Sequence, residues 1–225
     1  MLTQVYEIAS PEEARAISAI GVDHVGVLVG DGRFPREQPI AAAAQIAAAI
    51  APPARFVALF LVADPSLINA WVRELRPPIV HLGASPDLLT PAHTAMIKEA
   101  MPDSMIMRSV PVTDESSVSV AQSYDGFADY LLLDSYRASD RQVGALGVTH
   151  DWSISRRIVE LVGIPVILAG GLGPDNVRDA IRAVHPAGVD SKTKTDLDGS
   201  HGHAKDLERV RQFHEAARAA FEEAT

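Results

Sequence analysis

The 225-residue sequence contains no cysteine. That excludes disulfides, thiolate metal centres and cysteine nucleophiles, and it fits a reducing compartment. Positive charge is scarce: 20 lysines and arginines stand against 29 aspartates and glutamates, a formal charge of −9. Nonspecific nucleic-acid binding needs a basic footprint, so no nucleic-acid partner is expected. A small anion held in a locally positive site stays open. The stretch MLTQVYEIASPEEA has neither a basic start nor an apolar segment of signal length. No apolar run is long and unbroken enough to span a bilayer. A cytoplasmic location and no membrane partner are the expectations. No composition shift or low-complexity linker marks a boundary, so residues 1–225 are expected to form one domain.

Apolar residues make up 47% of the chain, enough for one substantial core. They fall in short runs: QVYEI (4–8), HVGVLV (24–29), FVALFLV (56–62), PIVHLG (78–83), SMIMRSV (104–110), DYLLLDS (129–135), IPVILAG (164–170) and AGVDSK (187–192). Several are apolar on both faces, as parallel strands covered by helices are. Helix-prone stretches lie between them. In SPEEARAISAI, Ser10 is placed as a cap, Pro11 opens the first turn and acidic residues follow. In the last stretch, Leu207, Val210, Phe213 and Ala217 recur at helical spacing. Eight strand–helix units predict an α/β fold, a (β/α)8 TIM barrel; a doubly wound open sheet is the alternative.

In such a barrel, chemistry sits where strands end. That selects Tyr6, Glu7, Arg36, His81, Arg108, Asp134, the loop with Gly144 and Gly147, Gly170, Gly171, Asp190 and Lys192. For His81 and Arg108, a polar residue merely satisfied near a strand end weighs equally. Gly170 and Gly171 end an apolar run just before a helix start, PDNV. Glycine permits close approach of backbone to ligand, and N–H groups at such a turn suit a phosphate. GALG (144–147) and DSKTKTD (190–196) supply neighbouring loops with small, hydroxyl and basic residues. A phosphorylated small molecule is therefore the expected ligand, with no cofactor. His201 and His203 in HGHAKD have a spacing a metal can use, but the glycine-rich context favours a loop, and no metal is expected.

YLLLDS, GALGVTHDW, PVILAGGLGPDNVRDAI, HPAGVDSKT and KDLERVRQF resemble the phosphoribosylanthranilate isomerase family of tryptophan biosynthesis. SPEEARAISAIGVDHVGVLV and FPRE extend the resemblance through most of the chain. It implies an Amadori rearrangement: a carboxylic acid protonates the ribose ring oxygen, and a base removes a proton from the adjacent carbon. Asp134 matches the family's acid, and Arg36 an arginine that contacts substrate anions. The family's Lys-Ile-Cys-Gly, whose cysteine is the base, is here Gln4, Val5, Tyr6 and Glu7. Its strand-four and strand-eight motifs are replaced by HLGA and SKTKTD. The phosphate end is thus retained and the reacting end rebuilt. Glu7 or an unidentified group is left to act as base, and Tyr6 predicts weak or absent family activity. Two other readings remain: a phosphosugar enzyme using Lys192 as a Schiff-base lysine, and a noncatalytic phosphate-binding barrel. The sequence does not indicate an oligomeric state.

Overall fold

The computed structural model describes residues 1–137, 142–144, 146–198 and 204–223. Strand β1 (Leu2–Val5) is followed by α1 (Pro11–Ile20), β2 (His24–Leu28) by α2 (Ile40–Ala49), and β3 (Arg55–Phe60) by α3 (Pro65–Leu75). The rhythm continues with β4 (Ile79–Leu82), α4 (Pro91–Ala100), β5 (Met105–Pro111), α5 (Ser116–Gln122) and β6 (Tyr130–Asp134). A two-stranded antiparallel ribbon, β7 (Tyr136–Arg137) and β8 (Gln142–Val143), then intervenes before α6 (Trp152–Leu161). The chain finishes with β9 (Val166–Leu168), α7 (Val177–Val184), β10 (Gly188–Ser191) and α8 (Leu207–Glu223).

Eight of these strands close a parallel barrel in the order β1-β10-β9-β6-β5-β4-β3-β2. All eight expected runs supply its strands, and the open-sheet alternative is excluded. His201 and His203 lie outside the described residues. Among the described residues, no helix is long and apolar enough to cross a membrane.

Local chemistry sets the helix starts. Ser10 accepts from the Glu13 N–H and Pro11 needs no donor partner there, so α1 begins where the sequence places it. Asp64 caps α3 and Asp151 caps α6 in the same way. The last helix buries Val210, Phe213, Ala217 and Phe221 on one face, while Leu207 at its first turn stays exposed. Truncating a fully buried Phe213 to alanine is expected to destabilise by about 3–5 kcal/mol.

Two apolar sets form the core. The larger lies between barrel and helices. The smaller fills the barrel itself with Tyr6, Val57, Ile79, Met107, Leu132, Ile167 and Ala169. An eight-stranded barrel is just wide enough for side chains to fill, so there is no central channel. Tyr6 lies across Gly26 of β2: a Cβ at Gly26 would sit 2.2 Å from the Tyr6 ring. Arg108 is wholly buried, and its guanidinium donates to the carbonyls of Leu82 and Ala84, each at 2.6 Å, beneath the face of Tyr124. It ties the β4 end to the following loop, which is the structural alternative weighed for it.

Of the strand boundaries that differ from the expected runs, one bears on the site. The first strand runs from Leu2 to Val5, not from 4 to 8. Glu7 already has φ 62°, in the left-handed region, so alternation no longer governs where its side chain points.

Candidate active site

The carboxyl ends of β6, β9 and β10 surround a small cleft lined by Asp134, Gly147, Gly170, Gly171, Leu172, Asp190, Lys192 and Thr193. Six of the twelve residues selected from the sequence therefore meet in one place. Gly144 adjoins it, because a Cβ there would fall 2.3 Å from Asp134 Oδ2. Glu7 and Arg36 do not line the cleft; they reach it through Lys192.

The glycine pair belongs to a tight turn clamped by Asn176. This side chain accepts from the Gly173 N–H at 2.9 Å and donates to the Gly171 carbonyl at 3.1 Å. Gly171 has φ 62°, and a Cβ on it would meet the backbone carbon of Val148 at 2.7 Å. The close approach that excludes a side chain at Gly171 is thus made by the chain's own loop after β8. At Gly170 the near neighbour is the His150 ring, whose Nδ1 would lie 2.9 Å from an added Cβ. The two loops pack backbone to backbone and leave the cleft wall without side chains at these positions.

Asp134 ends β6 inside this wall. The Ser135 N–H donates to its Oδ1 at 2.7 Å and the Ser135 hydroxyl at 3.2 Å. Burial dominates over these two bonds and pushes its carboxyl up to about 7. Asp190 is pushed well above the usual carboxylate range, first by burial and then by the charge of Asp134; Gln4, hydrogen-bonded to it, and Lys205 pull the other way. Asp190 Oδ1 is buried and has no hydrogen-bond partner.

The register explains the juxtaposition. Leu133, Leu168 and Val189 are paired across β6, β9 and β10, so Asp134, Ala169 and Asp190 each stand one residue beyond. Ala169 and Leu132 belong to the barrel interior, which by alternation turns Asp134 inward as well. Gln4 is the register partner of both Asp190 and His24. Gln4, His150 and the Asp190 carboxyl environment were missed as a set. Only barrel closure brings them together, since Gln4 and Asp190 are joined by the β1–β10 pairing.

Beside the cleft runs a chain of ion pairs. Arg36 grips Glu7 with Nε at 2.5 Å and Nη2 at 2.8 Å. Lys192 Nζ lies 3.2 Å from Glu7 and 2.9 Å from Asp196, whose other oxygen holds Lys205 at 2.5 Å. Arg36, like Glu7, is a non-glycine residue in the left-handed region, at φ 71°. Strained backbone of this kind persists where surrounding contacts over-determine it, and here the two strained residues hold each other. Lys192 is engaged by two carboxylates, Glu7 and Asp196. An amine held in two ion pairs is poorly placed to attack a carbonyl as a Schiff-base lysine.

On the opposite side of the mouth, Tyr6 shares a short hydrogen bond with His81 Nδ1, and His81 Nε2 lies 2.7 Å from Ser109 Oγ. Burial lowers His81 to about 3, so its ring is neutral and donates from one nitrogen while accepting at the other. Burial, and secondly the charge of Asp190, pushes the Tyr6 phenol well above its ordinary value. A phenol so placed is a worse base than a free tyrosine.

A closed parallel barrel with a glycine-walled cleft, an elevated carboxyl and a lysine at its C-terminal face has the layout of a barrel-enzyme site. The comparisons place it further. Residues 9–216 match the N-(5'-phosphoribosyl)anthranilate (PRA) isomerase family. The chain belongs to that family. It is 37% identical over 215 residues to N-(5'-phosphoribosyl)anthranilate isomerase of Methanocella arvoryzae, covering 93% of this chain and 94% of the relative. Among solved structures, phosphoribosyl anthranilate isomerase of Thermotoga maritima shares the fold with a TM-score of 0.79 at 23% identity, covering 97% of this chain and 100% of that one. Another such isomerase, in complex with reduced 1-(o-carboxyphenylamino)-1-deoxyribulose 5-phosphate, aligns with a TM-score of 0.76 at 22% identity, over 97% of this chain and 100% of that one.

Proposed function

We propose that the chain isomerises N-(5'-phosphoribosyl)anthranilate to the corresponding 1-amino-1-deoxyribulose phosphate, the Amadori step of tryptophan biosynthesis, in the cytoplasm. The observation that carries this reading is Asp134. Burial raises its carboxyl to about 7, so near neutral pH a large fraction holds the proton that ring opening requires. The cleft supports a fitting division of labour. The backbone around Gly147, Gly170 and Gly171, with Lys192 beside it, suits the phosphate, while Asp134 reaches the ribose ring oxygen. Arg36, at the rim and partly exposed, is suited by its planar fork to the anthranilate carboxylate. Glu7 orients Arg36 and Lys192 between these two ends.

The test is turnover. Purified protein is mixed with freshly generated phosphoribosylanthranilate, and loss of the anthranilate-type fluorescence is followed. Asp134→Asn is expected to abolish most of that loss. No turnover by the unmodified protein, in vitro or in a strain lacking the isomerase, would refute the reading.

A further inference from the structure

The isomerisation needs a base as well as an acid, and the side chains at the first strand do not provide one. The Tyr6 hydroxyl is committed to His81. Glu7 is ion-paired with Arg36 and Lys192 and lies outside the cleft lining. His150 has an unpartnered Nδ1, but burial lowers its basicity to about 4, and its ring lies behind Gly170.

Asp190 has the position the others lack. It lines the cleft together with Asp134. The two stand at one level of the barrel, two strands apart, on either side of the small residue Ala169. Two strand spacings separate their Cα atoms by about 10 Å. Asp190 Oδ1 is buried and has no hydrogen-bond partner. Gln4 fixes the carboxyl through its amide, and that amide is itself held by the His24 ring at 3.1 Å.

From this geometry we infer that Asp190 is the second catalytic carboxyl, the base that works opposite Asp134 in place of the family's cysteine. The inference rests on the isomerase reading above. Asp134 gives its proton to the ring oxygen as the C1–O bond breaks, and the nitrogen lone pair forms the C=N bond of an iminium. Asp190 removes the proton from C2. The C–H electrons become the C1=C2 bond, and the C=N π electrons return to nitrogen. The enol so formed loses its hydroxyl proton and gains one at C1, giving the ketone. The pair ends with the proton on the other carboxyl, and exchange with water resets it. No oxidant, metal or second substrate enters the balance.

The inference also changes the reading of Asp190 from the sequence, which grouped it with phosphate contacts. An ionised carboxylate repels phosphate, and only the shared proton lets it sit beside that group. Burial of both carboxyls, and secondly the charge of Asp134 acting on Asp190, favours a proton held on the pair.

The experiment compares the unmodified protein with Asp190→Asn and Asp134→Asn. Measured are kcat and KM for phosphoribosylanthranilate against pH, inorganic phosphate binding by calorimetry, and carboxyl titration by 13C NMR. Asp190→Asn is expected to lower kcat by about 10²–10⁴-fold with KM and phosphate binding nearly unchanged, and to remove one limb of the pH profile. Retention of kcat within about threefold of the unmodified protein overturns the assignment. If the unmodified protein does not turn the amine over, the isomerase reading fails, and the pair is judged by titration alone. Asp134→Asn then lowers the Asp190 titration toward the ordinary carboxyl range if the pair exists. Unchanged titration of Asp190 in that variant overturns it.

Discussion

The two halves of the barrel mouth handle buried polarity in opposite ways. On the β1–β5 side, Tyr6, His81, Ser109 and Arg108 are buried, and their polar groups satisfy one another or backbone carbonyls except for Arg108 Nε, which has no partner. On the β6–β10 side, Asp134 and Asp190 are equally buried, yet Asp190 Oδ1 has no partner and glycines line the wall. A closed network of this kind holds shape. An open one is a site waiting for a ligand atom, because a buried polar atom left unsatisfied is costly unless something binds it. The proposed chemistry falls on the open side, and the other side plugs the barrel.

The sharpest way to break the contrast is Asp134→Asn. Loss of an acid that donates in the transition state is expected to lower kcat by about 10²–10⁴-fold, read by turnover, while inorganic phosphate still binds. Tyr6→Phe, in the plugged half, should change kcat by less than about threefold, and a loss comparable to Asp134→Asn would move the base back to the first strand.

Acid and base stability should diverge between the halves. Asp134 is raised from its unfolded value near 3.8 to about 7, so its favourable contribution is full below pH 4 and is lost as pH rises through 7. His81 is depressed to about 3, so its contribution is full above pH 6.5 and is lost as pH falls toward 3. Asp134→Asn should therefore raise the melting temperature at pH 8 and hardly at all at pH 4, with an upper bound of about 4 kcal/mol for three pKa units. His81→Gln should show the reverse trend, relatively most favourable at low pH. Parallel trends in thermal melts would refute the division.

A smaller effect is expected in the interlock beneath the mouth. Gly26→Ala should destabilise by about 1–3 kcal/mol in chemical denaturation, since its Cβ meets a ring that is pinned by His81. The loss should shrink in a Tyr6→Ala background, and an unchanged loss would show that the two residues are not coupled. The smallest effect is the hydrogen bond itself: Tyr6→Phe is expected to lower stability by about 1 kcal/mol.

The strand–helix rhythm, the Ser10 cap and the glycine turns were legible because they are local: periodicity, a cap residue and a left-handed turn each write themselves into adjacent positions. Six residues of the cleft were legible for the related reason that strand ends in a barrel converge. The partner of Asp190 was not, because Gln4 reaches it only through the β1–β10 pairing that closes the sheet. Nor was the left-handed turn at Glu7, where a carboxylate stands at a position that favours glycine and is held there by Arg36 and Lys192. The burial of Lys205 against Asp196 likewise depends on an antiparallel bridge between these two positions. Charge pairs made by distant loops leave no periodic trace.

The Tyr6 ring over Gly26 also gives this sequence a direction of travel. Any side chain at position 26 occupies the space of the ring, so a path of single substitutions must clear position 26 before an aromatic residue can enter at position 6. Once the ring is in and bonded to His81, the return journey is uphill. Removing the ring first leaves a void in a close-packed barrel, at roughly 3 kcal/mol or more, and filling position 26 first collides with the ring. The pair works as a ratchet: a thiol at position 6 is one codon change away in the gene, yet two coordinated changes away in the folded protein.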